Sequence, residues 1–159
     1  MISASDAAAI AAQIGRDPRG MLDVAHRCPC GKPDVVLTAP RLDDGTPFPT
    51  IYYLTCPRAC SAVGRLEGTG VMREMEARLA DDPELARDYA RAHEAYLRRR
   101  ASLADVPEIE GVSAGGMPDR VKCLHALLAQ ALAEGPGVNP LGDEVRALVG
   151  AFWEPTPCA

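Results

Sequence analysis

All of the strand-like sequence lies before residue 56, and this placement constrains the fold more than any other feature. Three segments alternate apolar with polar residues or are rich in β-branched and aromatic residues: Met21–Ala25, Asp34–Ala39 and Thr50–Thr55. Turn-forming residues separate them, including an Asp-Gly pair before the third segment. Because parallel neighbours need a long crossover between them, the sequence predicts a small three-stranded antiparallel sheet.

The rest of the sequence is helical in pattern. The Ala-rich N-terminal segment predicts a short helix that a serine caps and Gly15 ends. Capping residues, prolines and apolar spacing predict further helices at 57–67, 71–79, 83–100, 118–134 and 141–152. Pro118 is expected in the first turn of the fourth of these, after a flexible glycine run. The sequence therefore predicts an α+β fold, in which the sheet packs against a helical majority.

The length of the chain limits the number of domains, and its net charge excludes some functions. A chain of 159 residues favours one domain, which we expect at 1–153, with 154–159 as a flexible tail carrying Cys158. A formal charge of −5 excludes the basic surface that nucleic-acid binding requires. No apolar run approaches the roughly 18 residues of a membrane span, and no basic signal-peptide region opens the chain. We therefore expect a cytoplasmic protein without membrane contact.

Six cysteines are the most informative side chains for function. In a reducing compartment they favour metal binding or thiol chemistry over disulfide bonds. Cys56, which precedes Pro57, is predicted at a helix N-terminus, where the helix dipole and free N–H groups stabilise a thiolate. A thiolate binds metals and attacks electrophiles. Cys60, on the same helix face, is either a second ligand or a small core residue.

The turn between the first two strands contains Cys28 and Cys30. Cysteine-rich turns are common in zinc ribbons, but those usually have two residues between the cysteines. A single intervening residue makes joint binding of one ion difficult, so we favour Cys28 as the ligand. His26, in the same turn, is a weaker candidate.

Cys123 and His125 are two residues apart in the predicted fourth helix after the sheet. Such residues point about 200° apart around a regular helix and cannot both face one ion. Either the helix starts late, or only one of the two is a ligand. His93 lies among tyrosines on the inner face of the long helix and is either a packing residue or a further ligand.

Four longer motifs carry a resemblance to a known family: Pro47–Pro57, Arg65–Glu67, Ala114–His125 and Gly135–Pro140. They resemble an uncharacterised bacterial family that is labelled a domain of unknown function and is frequent in actinobacteria. The family's genes often lie beside those of an exopolyphosphatase and a septum-formation initiator. The resemblance therefore implies a cellular context and no particular chemistry.

The resemblance also implies a set of ligands. Its more distant members keep cysteines matching Cys28, Cys56 and Cys123, and a histidine matching His125. We therefore expect these four residues to form a metal site, with His93 as the alternative fourth ligand. Three thiolates and an imidazole suit zinc, and three thiolates with an open position suit an iron–sulfur cluster.

Two other functions stay open on the sequence alone. One is a thiol enzyme, in which Cys56 or Cys123 is the nucleophile and His93 or His125 is its base. The other is a non-enzymatic adaptor, with an unknown protein partner, in cell division or polyphosphate metabolism. The adaptor hypothesis depends only on the gene context that the resemblance implies.

Overall fold

The computed structural model describes residues 2–155 and confirms the α+β fold. Within these residues, three strands and six α-helices follow one another along the chain. Their bounds are α1 Ala4–Ile14, β1 Met21–Arg27, β2 Pro33–Thr38, β3 Tyr52–Leu54, α2 Pro57–Glu67, α3 Val71–Asp81, α4 Pro83–Leu103, α5 Leu124–Glu134 and α6 Pro140–Val149. A short 3-10 helix, Pro107–Ile109, lies between α4 and α5.

The sheet is antiparallel and has the order β1-β2-β3, which confirms the predicted pairing. The central strand β2 is buried along its whole length because α1 contacts it and α5 packs against the sheet. The outer strand β3 is shorter than the predicted segment. The N–H of Ile51, just before it, donates to the hydroxyl of Tyr96 at 2.8 Å instead of joining the sheet.

Helix α5 forms the centre of the core and contacts the sheet, α2 and α6. Its buried residues lie around most of the helix, as expected for a helix enclosed by other elements. Gly142 lets α6 approach closely, because a Cβ atom at this position would lie 2.3 Å from the backbone oxygen of Leu127. This contact fixes α5, and therefore its N-terminus, relative to the rest of the fold.

The prediction that Pro118 begins this helix is wrong, because α5 starts at Leu124. The preceding segment closes into a compact loop. In it, the N–H of Arg120 donates to the backbone oxygen of Gly116, and the N–H of Lys122 donates to that of Gly115, both at 2.8 Å. Gly116 has a φ of +95°, and a Cβ atom there would lie 2.7 Å from the Arg120 oxygen. These bonds hold residues 115–122 outside the helix.

The C-terminal elements differ slightly from expectation. Helix α6 ends at Val149, before the predicted end at Phe152. Of the predicted flexible tail, only Glu154 and Pro155 are described, and Cys158 lies outside the described residues. Within residues 2–155, none of the helices has the length and apolar character needed to cross a membrane.

Candidate functional site

Two of the predicted site residues, Cys123 and His125, meet at the N-terminus of α5. Cys123 is the N-cap residue, with an extended φ of −151° and ψ of 109°, and His125 is the second residue of the helix. Because Cys123 precedes the first helical turn, the angular separation of a regular helix does not apply to the pair. Of the two alternatives raised by the sequence, the late start of the helix is therefore correct.

Glu67, the last residue of α2, completes the group. One potential ligand atom from each of Glu67, Cys123 and His125 lies within 4.8 Å of the other two. Over residues 2–155, these are the only three Cys, His or acidic side chains that converge in this way. Glu67 Oε2 accepts the backbone N–H of Leu124 at 2.9 Å and lies 3.2 Å from His125 Nδ1. One carboxylate oxygen thus caps α5 and orients the imidazole ring.

The charges of this group favour a thiolate beside an imidazolium. Hydrogen bonding to His125 lowers the pKa of Cys123, and the Ala126 amide adds to this, while partial burial and Glu67 oppose it. The Cys123 sulfur, acting as hydrogen-bond partner, raises the pKa of His125 to about 9, and Glu67 adds to the increase. Both side chains are only half-buried, so solvent and small molecules reach them.

The group lies at the edge of a cleft, here called the Cys123 cleft, with a volume of about 360 Å³. Most of its walls are apolar or aromatic. The lining residues are Phe48, Thr50, Tyr52, Tyr53, Leu54, Cys60, Gly115, Cys123, His125 and Ala126. Residues from the β3 region, α2 and α5 thus enclose one open space next to the thiol.

A second thiol, Cys60, lines the same cleft with different properties. Burial raises its pKa to about 11, and the nearby Cys56 contributes to the increase. The Cys60 thiol donates to the backbone oxygen of Leu54 at 3.5 Å. The cleft therefore contains one thiol that ionises readily and one that stays protonated at neutral pH.

The other two predicted ligands, Cys28 and Cys56, lie at the ends of different strands. Cys28 follows β1 and is buried, and its sulfur accepts the N–H of Cys30 at 3.4 Å. Cys56 is fully buried at the N-cap of α2, as the sequence predicts. Neither belongs to the group around Glu67. A metal-binding role for Cys28 and Cys56 stays a prediction.

Both remaining histidines have partners within the fold. His93 is buried and lies 2.7 Å from the hydroxyl of Ser113 through Nδ1, which favours its interpretation as a packing residue. His26 Nδ1 lies 2.8 Å from Asp34, a fully buried carboxylate on β2. Within the described part of the chain, neither histidine is near enough to two other candidate ligands to form a second group.

Glu67 is the site residue that the sequence reasoning missed. It belongs to one of the motifs that carry the family resemblance, but no local pattern links it to α5. Its partner Leu124 is 57 residues away in the sequence. A carboxylate that ends one helix and caps another is visible only after the two helices are packed together.

The fold and the site define an α+β protein with a half-buried thiol, an imidazole and a carboxylate at a helix N-terminus beside an apolar cleft. The chain belongs to the family described as Protein of unknown function (DUF501), whose profile matches residues 24–147. No curated protein and no solved structure matches it. The actinobacterial distribution and gene neighbours implied by the resemblance stay predictions.

Proposed function

We propose that this protein is a thiol-dependent enzyme in which Cys123 is the nucleophile, His125 transfers the proton and Glu67 orients the imidazole. The observation that supports it is the convergence of these three side chains within 4.8 Å at a helix N-terminus. Enzymes with a nucleophile, a base and an orienting group use the same division of roles.

The local geometry suits each role. Cys123, as the N-cap residue, faces the partial positive charge of the helix N-terminus, which stabilises a thiolate. Glu67 approaches His125 at Nδ1, which leaves Nε2 for exchange of a proton with the sulfur or a leaving group. The cleft gives a reactant access to the sulfur and shields it partly from water.

A metal centre at the same three residues is the second candidate, because they offer sulfur, nitrogen and oxygen donors within 4.8 Å. This set suits zinc, and three protein ligands with an open fourth position are typical of catalytic zinc sites. Bound zinc would polarise a substrate or activate water at that position. An iron–sulfur cluster would need additional thiolates, which Cys28 and Cys56 do not supply to this group.

Alkylation by iodoacetamide, followed residue by residue with peptide mass spectrometry, tests the proposed enzyme. We expect Cys123 to react much faster than Cys60 at pH 7, and His125→Asn to remove most of that advantage. Cys60→Ser is the matched control, since it removes the other thiol of the cleft and leaves the Glu67 group intact. Equal reactivity of Cys123 in the native and urea-unfolded protein would overturn the proposal.

Metal analysis separates the two candidates. Protein purified anaerobically is measured for zinc and iron, and alkylation of Cys123 is repeated after dialysis with and without zinc. Stoichiometric zinc that is lost in Cys123→Ser and blocks alkylation would favour the metal centre. A metal-free protein whose Cys123 is unaffected by added zinc would exclude it and favour the thiol enzyme.

A further inference from the structure

The lining of the Cys123 cleft points to a class of substrate, and this inference rests on the proposed thiol enzyme. We propose that the substrate is an ester or thioester of an uncharged, apolar carboxylic acid, whose acyl chain lies in the cleft while its carbonyl carbon faces Cys123. The proposal depends on three features: the walls of the cleft, the amides of α5 and a second cavity behind Phe48.

The walls offer little that would bind a charged or strongly polar group. Among residues 2–155, none of those that line the cleft is an acid, a lysine or an arginine, so Cys123 and His125 are its main ionisable groups. The hydroxyl of Tyr52 is already used, because it donates to Glu134 at 3.1 Å. The backbone oxygen of Thr50 accepts the hydroxyl of Thr38 at 2.7 Å. Aliphatic or aromatic acyl groups gain most from such a surface.

The start of α5 suits a reaction at a carbonyl group. Glu67 uses the N–H of Leu124 and the N–H of Ala126 faces the Cys123 sulfur, whereas the N–H of His125 belongs to the open first turn next to the sulfur, where the helix dipole adds to its effect. Amides in this position stabilise the negative oxygen that forms when a thiolate adds to a carbonyl. The nucleophile and the groups that stabilise the oxyanion therefore lie on the same helix terminus.

The reaction proceeds in two balanced steps. The Cys123 sulfur forms a bond to the carbonyl carbon, and the C=O electron pair moves to the oxygen. When this intermediate collapses, the bond to the leaving alkoxide or thiolate breaks, and the leaving group takes the proton held by His125. His125 then removes a proton from a water molecule, and the water oxygen bonds to the carbonyl carbon of the thioester. The bond between this carbon and the Cys123 sulfur breaks, which releases the carboxylic acid and restores the thiolate.

A second cavity shows where the acyl chain of the substrate must end. This cavity, here called the α1 cavity, has a volume of about 120 Å³ and lies between α1 and the sheet. Phe48 and Tyr53 line both the α1 cavity and the Cys123 cleft, so they form a common wall. Beyond them the cavity is lined by apolar side chains such as Ile10 and Ile14, together with Arg16 and Arg19. Phe48 therefore limits how far an acyl chain extends toward α1.

The test uses p-nitrophenyl acetate, butyrate, hexanoate and octanoate, and the p-nitrophenyl monoester of adipate as a charged analogue of hexanoate. Release of p-nitrophenolate gives the acylation rate, and intact mass with peptide mapping locates the acyl group. We expect acylation of Cys123, with rates that rise up to about 4-fold for each methylene added from acetate until the cleft is filled. The adipate ester should react more slowly than hexanoate.

Variants of the common wall test the limit on chain length. Phe48→Ala should raise the octanoate rate relative to acetate by about 10-fold, because the chain then enters the α1 cavity. Ile14→Phe, which fills that cavity from the other side, should cancel this gain in the double variant. Ile14→Phe alone is the matched control and should leave the acetate rate unchanged.

The possible failures are distinguishable. If iodoacetamide alkylates Cys123 rapidly but no ester acylates it, the substrate class is wrong while the thiol enzyme stands. If Cys123 is unreactive toward both reagents, the proposed function fails first. Rates independent of chain length, or an adipate ester as fast as hexanoate, would overturn the apolar acyl substrate.

Discussion

The carboxylate of Glu67 lies 2.9 Å from the backbone nitrogen of Leu124, so the last residue of α2 caps the first residue of α5. The Cys123 side chain at the N-cap position makes no capping hydrogen bond. An N-cap residue usually supplies this bond with its own side chain. Here Glu67, from another helix, accepts the N–H of the first helical residue instead, and the Cys123 sulfur faces His125 and the Ala126 amide.

Removal of this carboxylate should weaken both the fold and the site. We expect Glu67→Ala to lower the free energy of unfolding by about 1 kcal/mol, the usual contribution of a helix cap. Glu67→Gln should lower the free energy of unfolding by less, because the amide oxygen of the glutamine still accepts the Leu124 N–H. Urea unfolding measures both differences.

Glu76→Gln is the matched control for the effect of charge. Glu76 accepts the N–H of Val121 at 2.8 Å in a similar way, but it does not belong to the Cys123 group. Glu67→Gln should slow alkylation of Cys123, whereas Glu76→Gln should not. Equal effects of the two variants on alkylation would contradict an orienting role for Glu67.

The reactivity of Cys123 should depend on pH in a way that reports its neighbours. The charged groups that face it are His125 on α5 and Glu67 on α2, with the Ala126 amide beside them. Because His125 lowers the pKa of Cys123, the thiolate persists below pH 9.0, the ordinary pKa of cysteine, and is lost as the pH falls through the lowered value. The alkylation rate should therefore stay high to a lower pH than for an ordinary cysteine, and His125→Ala should shift its midpoint upward.

Cys60 provides an internal reference in the same experiment. Its pKa of about 11 leaves it protonated across the neutral range, so its alkylation should rise only at high pH. A wild-type profile in which Cys123 and Cys60 share one midpoint would show that the Cys123 environment has no special effect.

Local pattern predicted most of the fold because strands and helix boundaries depend on neighbouring residues. The alternation in Met21–Ala25 and the Pro57 and Pro83 helix starts needed no knowledge of packing. Prediction of the start of α5, in contrast, did need knowledge of the packing. The loop at Gly115 and Gly116 closes through backbone hydrogen bonds, which leave no trace in hydrophobic periodicity.

The candidate site was predictable only in part for a related reason. Cys123 and His125 could be named from residue type and family resemblance, and their ambiguity came from the unknown start of the helix. Glu67 could not be named, since its role depends on the contact between α2 and α5. Thiols in turns and at helix starts look alike in sequence, so the sequence does not distinguish Cys28 and Cys56 from Cys123.

The titration of His125 should reveal its interaction with the sulfur. Its pKa is raised to about 9, first by Cys123 and then by Glu67. The imidazolium should therefore be the main form at pH 7 and lose its proton near pH 9. Cys123→Ser removes the largest cause, so the midpoint should fall toward the ordinary value of 6.5.

NMR of the His125 ring protons measures this titration in the wild type and in Cys123→Ser. A His125 midpoint near 6.5 in both proteins would contradict the thiolate–imidazolium pair.

Substitution of Gly142 should destabilise the packing of α6 against α5. A Cβ atom there would lie 2.3 Å from the Leu127 oxygen, so Gly142→Ala must push α6 away from α5. Overpacking of this kind costs about 1–3 kcal/mol, measured as the loss in free energy of unfolding by urea. Gly64→Ala is the matched control, because Gly64 is inside α2 with nothing within 4 Å of the added atom, and it should stabilise the protein by about 0.5–1 kcal/mol. If Gly142→Ala is as stable as the wild type, α5 and α6 are not held together by this close approach.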